Sequence, residues 1–342
     1  MFPSSTITIV SNSDEKFFPG LAVAVASALA AASGKYNYEF LILDGGLSEE
    51  SLKNLRDTTS KIAECVGIQA SISRLAIDQT LLASLPERRG SRMTYAKLIL
   101  PEILAHLDSI IYLDADVLCY QGIEAVHPPL GETSRWLLAG VRDYFSVIEK
   151  DCPWIDQVPA HERKLPYINC GVMWMNLAEL RKIGFTHKAI SARAAIGNAR
   201  QGDQSVFNFL CRGRAYVLPA SINHCTSIGS NAPLCNGDLD LNIHFIGSPK
   251  PWLGAAKTSN WLACQLWYQA QAAIFPTMTP SYVSSEPADK PVIRYKSWIY
   301  LLMNPYRAAD YRSDLHSLMD PKQVISRALK HWRKSCPFNQ NL

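Results

Sequence analysis

The chain has 342 residues, 48% of them hydrophobic and 19% charged. That is too apolar and too weakly charged for intrinsic disorder, and long enough for one large domain with an appendage, or for two. The net charge of +4 is unevenly placed: Lys290 to Lys334 holds ten Lys/Arg against three Asp, a net of +7, which leaves the rest of the chain acidic at −3.

No Gly-X-Y period, heptad array or internal repeat is present, so fibrous and solenoid architectures are excluded. The nine cysteines are scattered without a Cys-x-x-Cys pair. Cys225 and Cys235 with His224 lack the second close pair of a zinc site, so free thiols in a reducing cytoplasm are expected. Met1-Phe-Pro-Ser-Ser-Thr has no basic region of a secretory signal. The longest apolar run, Leu21 to Ala32 broken only by Ser27, is about half of a bilayer crossing and predicts a buried helix.

In chain order, Thr6 to Val10 predicts a buried strand, followed by a helix from Pro19 to Ala32 with proline near its start. Tyr38 to Leu43 predicts a second strand. Ser48 caps a helix to Cys65, with Glu49 and Glu50 in its first turn, and Ile68 to Leu75 predicts a third strand. Strand and helix in alternation predict an α/β domain with a mainly parallel sheet. Met93 to Leu107 reads as a helix that Pro101 should break or kink. Strands are expected at Ser109 to Leu113, Trp136 to Val141, Asn169 to Asn176 and Asn242 to Ile246. Helices are expected from Leu177 to Ile183 and from Asp203 to Cys211. Phe275 to Pro291, rich in Pro, Ser and Thr, reads as a linker to a basic, aromatic tail.

Five features point to chemistry. Asp114-Ala115-Asp116 follows the strand Ser109 to Leu113, expected to be fully buried, at the end where ligands gather in open α/β sheets, and two carboxylates at i and i+2 suit Mg²⁺ or Mn²⁺. His244 sits on an apolar strand, and Gly247 and Lys250 just after it suit a phosphate beside a metal. A His with two Asp suits Mn²⁺. Asn12, Asp14 and Lys16 follow the first strand and read either as an ordinary turn or as contacts to a nucleobase and ribose. Lys97, near the start of its predicted helix, reads as a diphosphate contact or as part of a solvated basic face. Asp203-Gln204 reads as a helix cap or as a polar pair facing a sugar.

In order along the chain, Tyr-Ala-Lys-Leu (95–98), Tyr-Leu-Asp-Ala-Asp-Val (112–117), Asn-Cys-Gly-Val-Met-Trp-Met-Asn (169–176), Gly-Asp-Gln (202–204) and His-Phe-Ile-Gly-Ser-Pro-Lys-Pro-Trp (244–252) resemble glycosyltransferase family 8. That family holds bacterial lipopolysaccharide galactosyl- and glucosyltransferases and glycogenin, retaining enzymes of the GT-A fold that use UDP-sugars. The resemblance spans Ile7 to Trp252. It implies a Rossmann-like, mainly parallel sheet flanked by helices, with Asp114, Asp116 and His244 ligating Mn²⁺ (or Mg²⁺). It further implies that Ala115, Gly247, Lys250 and Lys97 lie along the donor, and that Asn12, Asp14 and Lys16 lie at the uridine. Asp143, Asn169, Asp203 and Gln204 match donor-sugar and reaction-centre positions.

Retention of configuration needs either a covalent intermediate or attack from the leaving-group face. Gln204 is neutral and a poor nucleophile, whereas Asp203 is chemically better. The front-face route is the one expected, with a phosphate oxygen of UDP taking the acceptor proton. A nucleotidyltransferase is the rival enzyme class, but Ser11-Asn12-Ser13-Asp14 stands where its Gly-rich phosphate loop would be. A non-catalytic UDP-sugar-binding relative would be marked by loss of Asp114, Asp116 or His244, and all three are present. The expected organisation is a catalytic domain over 1–273 and a linker with a helical, basic and aromatic tail over 274–342. The tail is expected either to touch an anionic membrane face or to pack on the domain. A cytoplasmic enzyme, peripheral on the inner membrane, with a saccharide or lipid-linked acceptor and no nucleic-acid partner, is expected.

Overall fold

The computed structural model describes residues 5–87, 92–128, 135–196, 202–226, 241–247, 250–253 and 261–275, with positions 326 and 330. The first 75 residues form β1 (Thr6–Ser13), α1 (Phe18–Ala30), β2 (Asn37–Asp44), α2 (Glu49–Val66) and β3 (Ala70–Leu75). There follow α3 (Leu100–Ile103), β4 (Ser109–Leu113), β5 (Val117–Cys119), β6 (Leu138–Val147), β7 (Pro166–Asn176), α4 (Leu177–Lys182), α5 (Phe185–Ala194) and α6 (Asp203–Cys211). The described elements end with β8 (Ala215–Val217), β9 (His224–Thr226), β10 (Asn242–Phe245) and α7 (Trp261–Ile274).

Seven strands make the central sheet in the order β3-β2-β1-β4-β7-β6-β8. β7 pairs antiparallel with both neighbours and every other pairing is parallel. A second sheet, β5-β10-β9, lies beside it. The inner strands are mostly apolar because both faces are covered, whereas β3 at the sheet edge alternates, with Ile72 its one buried residue. Ile9, Phe40, Ile42, Ile111 and Leu113 face one core with α1 and α2, while Val10, Leu41, Leu43, Ile110 and Tyr112 face the other with α5 and α6. The predicted buried helix is α1, with Leu21 to Leu29 fully buried. Its one polar interruption is satisfied, since Ser27 Oγ donates to Ala24 O (3.1 Å) and accepts from Cys119 N (3.0 Å). Among the described residues no helix is long and apolar enough to cross a membrane.

Several boundaries differ from the expectation. β1 continues past Val10 because its polar residues are bonded in place: Ser11 Oγ donates to Leu113 O (2.6 Å) and Asn12 Nδ2 to Met93 O (2.9 Å). The predicted helix from Met93 is a 3₁₀ segment over Met93–Ile99 followed by α3. Pro101 stands in the first turn of α3, where its missing N–H costs nothing, so it opens this helix instead of breaking one. β6 extends well beyond Val141, and β7 begins three residues before Asn169. The three-residue strands β5, β8 and β9 and the helix α5 were not foreseen. The predicted tail, apart from positions 326 and 330, lies outside the described residues.

Candidate active site

β4 and β5 build the core of the site. β4 ends at Leu113, and the Asp114 amide is fixed by Gly171 O of the neighbouring β7 (2.7 Å). β5 starts at Val117, which is the antiparallel partner of His244 on β10. Phe245 N donates to Asp116 O (2.9 Å). Two residues distant in sequence are thereby joined by one ladder, and His244 Nε2 lies 3.2 Å from Asp116 Oδ1 and 3.9 Å from Asp114 Oδ2.

Two lysines flank this set. Lys97 lies on the 3₁₀ segment, where residues three apart share a face, so Thr94 and Lys97 reach the same partner. Thr94 Oγ1 donates to Asp203 Oδ1 (3.2 Å) and Lys97 Nζ pairs with Asp203 Oδ2 (3.0 Å). Lys97 Nζ also meets Asp114 Oδ1 and Cys170 O, each at 3.4 Å, and lies 4.4 Å from the centre of the Tyr112 ring. Lys250 Nζ bonds Asp116 Oδ2 and donates to Phe245 O (2.6 Å). The segment behind Lys250 is anchored by Trp252, whose ring sits 5.6 Å from those of Phe17 and Trp267.

The charges balance one another in a buried place. Burial disfavours the ammonium of Lys97, but Asp114 and Asp203 outweigh it and hold Lys97 well above the ordinary lysine range. Burial raises the Asp114 carboxyl, against the lowering pull of Lys97. For Asp116 the burial penalty is overcome by Lys250 and His244, which hold its carboxyl well below the usual range. Burial would lower His244, but Asp116 pushes it up to about 10.

A second cluster joins the first through β7. Asp143 Oδ2 accepts from Asn169 Nδ2 (2.7 Å) and Gln204 Nε2 (3.2 Å), and Gln204 Oε1 accepts from Cys170 N (3.0 Å). α6 is held to β7 by Asn208, whose Oδ1 accepts from Ile168 N (2.6 Å) and whose Nδ2 donates to Ile168 O (2.8 Å). The predicted residues Lys97, Asp114, Asp116, Asp143, Asn169, Asp203, Gln204, His244 and Lys250 are thus brought together. Ala115 is buried in the turn between the two acids, and Gly247, with φ of 79°, follows β10.

Asn12 and Asp14 have structural tasks: Asn12 bonds Met93 O, and Asp14 Oδ1 accepts from Phe17 N (2.9 Å) to cap a short 3₁₀ turn. Lys16 is exposed in that turn. Thr94 and Gly171 also belong to the site, though no motif singles them out individually. The three-residue spacing of Thr94 from Lys97 would have marked it, and Gly171 stood inside a motif already singled out.

The donor set has the spacing of a cation site. One ligand atom from each of Asp114, Asp116 and His244 lies within 4.8 Å of the others, and no other such group exists among the described residues. Bonds of about 2.1 Å in an octahedron put neighbouring ligand atoms about 3.0 Å apart and opposite ones about 4.2 Å apart, which brackets the observed 3.2 and 3.9 Å. Two carboxylates and one imidazole suit Mn²⁺ or Mg²⁺. All seven described cysteines are free, so none forms a disulfide.

The family model for glycosyl transferase family 8 matches residues 8–256. The chain is 25% identical over 265 residues to a lipopolysaccharide 1,2-glucosyltransferase of Escherichia coli K12, covering 73% of each chain. In fold it is similar to an active-site variant of LgtC, with a TM-score of 0.62, 22% identity, and coverage of 80% of this chain and 98% of that one. A structure of the galactosyltransferase LgtC with donor and acceptor sugar analogs gives 0.60, 21%, 84% and 100% respectively. With a match across most of its length, an α/β architecture shared with these GT-A enzymes and an acidic cluster at the end of a buried strand, the chain belongs to glycosyl transferase family 8.

Proposed function

We propose that the protein transfers a hexose, glucose or galactose, from a UDP-sugar to a saccharide acceptor, with retention of configuration and in dependence on Mn²⁺. The observation that carries this is the convergence of Asp114, Asp116 and His244 between Lys97 and Lys250. Three carboxylates here face two ammonium groups and an imidazole, so a divalent cation would meet two carboxylates and a nitrogen while the ammonium groups stand ready to offset the charge of a diphosphate. Names of similar proteins support a lipopolysaccharide or other cell-surface glycan as acceptor.

In this reading Asp114, Asp116 and His244 hold Mn²⁺ or Mg²⁺. When bound, the cation supplies Lewis-acid stabilisation of the charge that develops on the leaving UDP. Lys250 exchanges Asp116 for the diphosphate beside Gly247 and clamps it electrostatically. Asn12, Asp14, Lys16 and Ala115 line the uridine end. Lys97, Asp143, Asn169, Asp203 and Gln204 surround the sugar.

The hydrogen bonds favour front-face attack. Both Asp203 oxygens are engaged, by Thr94 and Lys97, and its side chain is 7% exposed. Both ends of the Gln204 amide are bonded as well. Neither side chain is poised as a nucleophile, so a phosphate oxygen of UDP is assigned the acceptor proton. We further assign the catalytic domain to 1–273 and the tail to 274–342. We place the enzyme in the cytoplasm, with the tail on the inner membrane beside a lipid-linked acceptor. Incubation with UDP-glucose or UDP-galactose, Mn²⁺ and a panel of saccharides tests the reading. UDP release with an α-linked product from an α-linked donor is expected, and no release from either donor overturns it.

A further inference from the structure

β7 leaves its ladder with β6 beside the acidic cluster, while it stays paired with β4 as far as Val172. Gly140 of β6 stands opposite Met173, but Arg142 stands opposite Ile168, so residues 169–172 arch out between them. Such bulges re-aim what they carry. The arch is tied by Asn169 Oδ1, which accepts from Gly171 N (2.9 Å), and by the bond from Gly171 O to the Asp114 amide. The Cα of Gly171 lies against the His244 ring, and a Cβ there would fall inside the space of the ring atoms. Only glycine permits this approach.

The ring has a second neighbour at Nδ1. Cys225 is the ladder partner of His244 on β9, is 2% exposed, and its Sγ lies 4.0 Å from His244 Nδ1. Two residues earlier, Asn223 Nδ2 donates to Asn169 Oδ1 (2.8 Å). One short segment therefore braces both the arch and the ring.

We propose that Gly171 and Cys225 are positioning residues for His244, the glycine leaving room for the ring at Cε1 and the thiol holding Nδ1, so that Nε2 is presented to the cation beside Asp116. This rests on the reading of His244 as a metal ligand. A ligating histidine is oriented by the partner of its second nitrogen, and loss of such a partner costs about 10–100-fold in metal affinity or activity. Sulfur is a weak partner, which places Cys225 at the lower end.

The test is direct binding: Mn²⁺ titrated onto the full chain in the presence of UDP, with free Mn²⁺ read by electron paramagnetic resonance, alongside melting curves. Cys225→Ala is expected to weaken Mn²⁺ about tenfold, Cys225→Ser to recover part of that loss, and Gly171→Ala to weaken it more than either. If Gly171→Ala does not fold, the two Cys225 variants decide the matter. A Cys225→Ala protein that melts lower yet binds Mn²⁺ within about twofold of the parent, while His244→Ala binds weakly, overturns the positioning role and leaves the metal reading intact. Unchanged Mn²⁺ binding by His244→Ala overturns the metal reading itself.

Discussion

Lys97→Met removes a buried cation with little change of volume. In the parent, Lys97 and Asp203 have side chains 5% and 7% exposed and meet at 3.0 Å, while Asp114, a quarter exposed, meets Lys97 at 3.4 Å. Breaking a buried pair from one side costs about 3–5 kcal/mol, because the remaining charge stays buried without its counter-ion. The more exposed Asp114 adds less, being screened by solvent. At about 2 °C per kcal/mol for a domain of this size, the variant should melt roughly 6–10 °C lower. The loss should also depend on pH. Lys97 is held above the ordinary lysine value, so its contribution is fully present below about pH 10.4 and is constant between pH 5 and pH 8. In the variant, Asp114 loses the ammonium that opposes its burial, so its carboxyl rises further above its unfolded value. A group raised in this way is most stabilising below its unfolded pKa, about 3.9, and loses that contribution as pH rises through the folded one. The gap between variant and parent should therefore be smaller at pH 5 than at pH 8. Metal-free melting at the two pH values is the assay. A drop under about 2 °C, or a gap that narrows towards pH 8, refutes the reasoning.

Because only neutral imidazole ligates and Asp116 pushes His244 up to about 10, Mn²⁺ binding near neutral pH should release a proton, with affinity rising about tenfold per pH unit. Titration calorimetry in two buffers of different ionisation enthalpy measures this, and zero protons released contradicts it. Intact-mass spectra taken during turnover should contain no glycosyl adduct on Asp203, and a trapped adduct there would establish double displacement instead. A chain ending at Pro287 should lose co-sedimentation with anionic vesicles, and binding equal to that of the full chain would count against the membrane role of the tail.

The parallel half of the fold was legible because its inner strands are buried on both faces and read as apolar runs, as in Ile110 to Leu113, while β3 shows the alternation of a half-exposed edge. Strand ends were harder. Ser11, Asn12 and Ser13 look like an exit loop, yet bonds to Leu113 and Met93 across the sheet carry β1 through them. Strands of three residues such as β5 and β9 have no periodicity to read, although the β5–β10 ladder is what brings His244 to Asp116. α5 escaped notice because its apolar positions do not fall on one face, and its buried set includes Thr186 and Arg193. Arg193 is bonded to the Tyr95 hydroxyl through Nη2 (2.8 Å) and Nε (3.1 Å), a match no local pattern signals. At the site, the acids were legible from their place after a buried strand. The ties around them, Thr94 to Asp203 and Gln204 to Cys170, join residues far apart in sequence and were not.

The central claim is that a divalent cation held by Asp114, Asp116 and His244 supports sugar transfer from UDP. The most direct measurement is UDP release from UDP-glucose and UDP-galactose in Mn²⁺, for the parent and for Asp116→Asn, with melting curves to establish that both are folded. Release by the parent, abolished by chelation and lost in a folded Asp116→Asn protein, is the predicted result. Turnover by Asp116→Asn at the parent rate would contradict it.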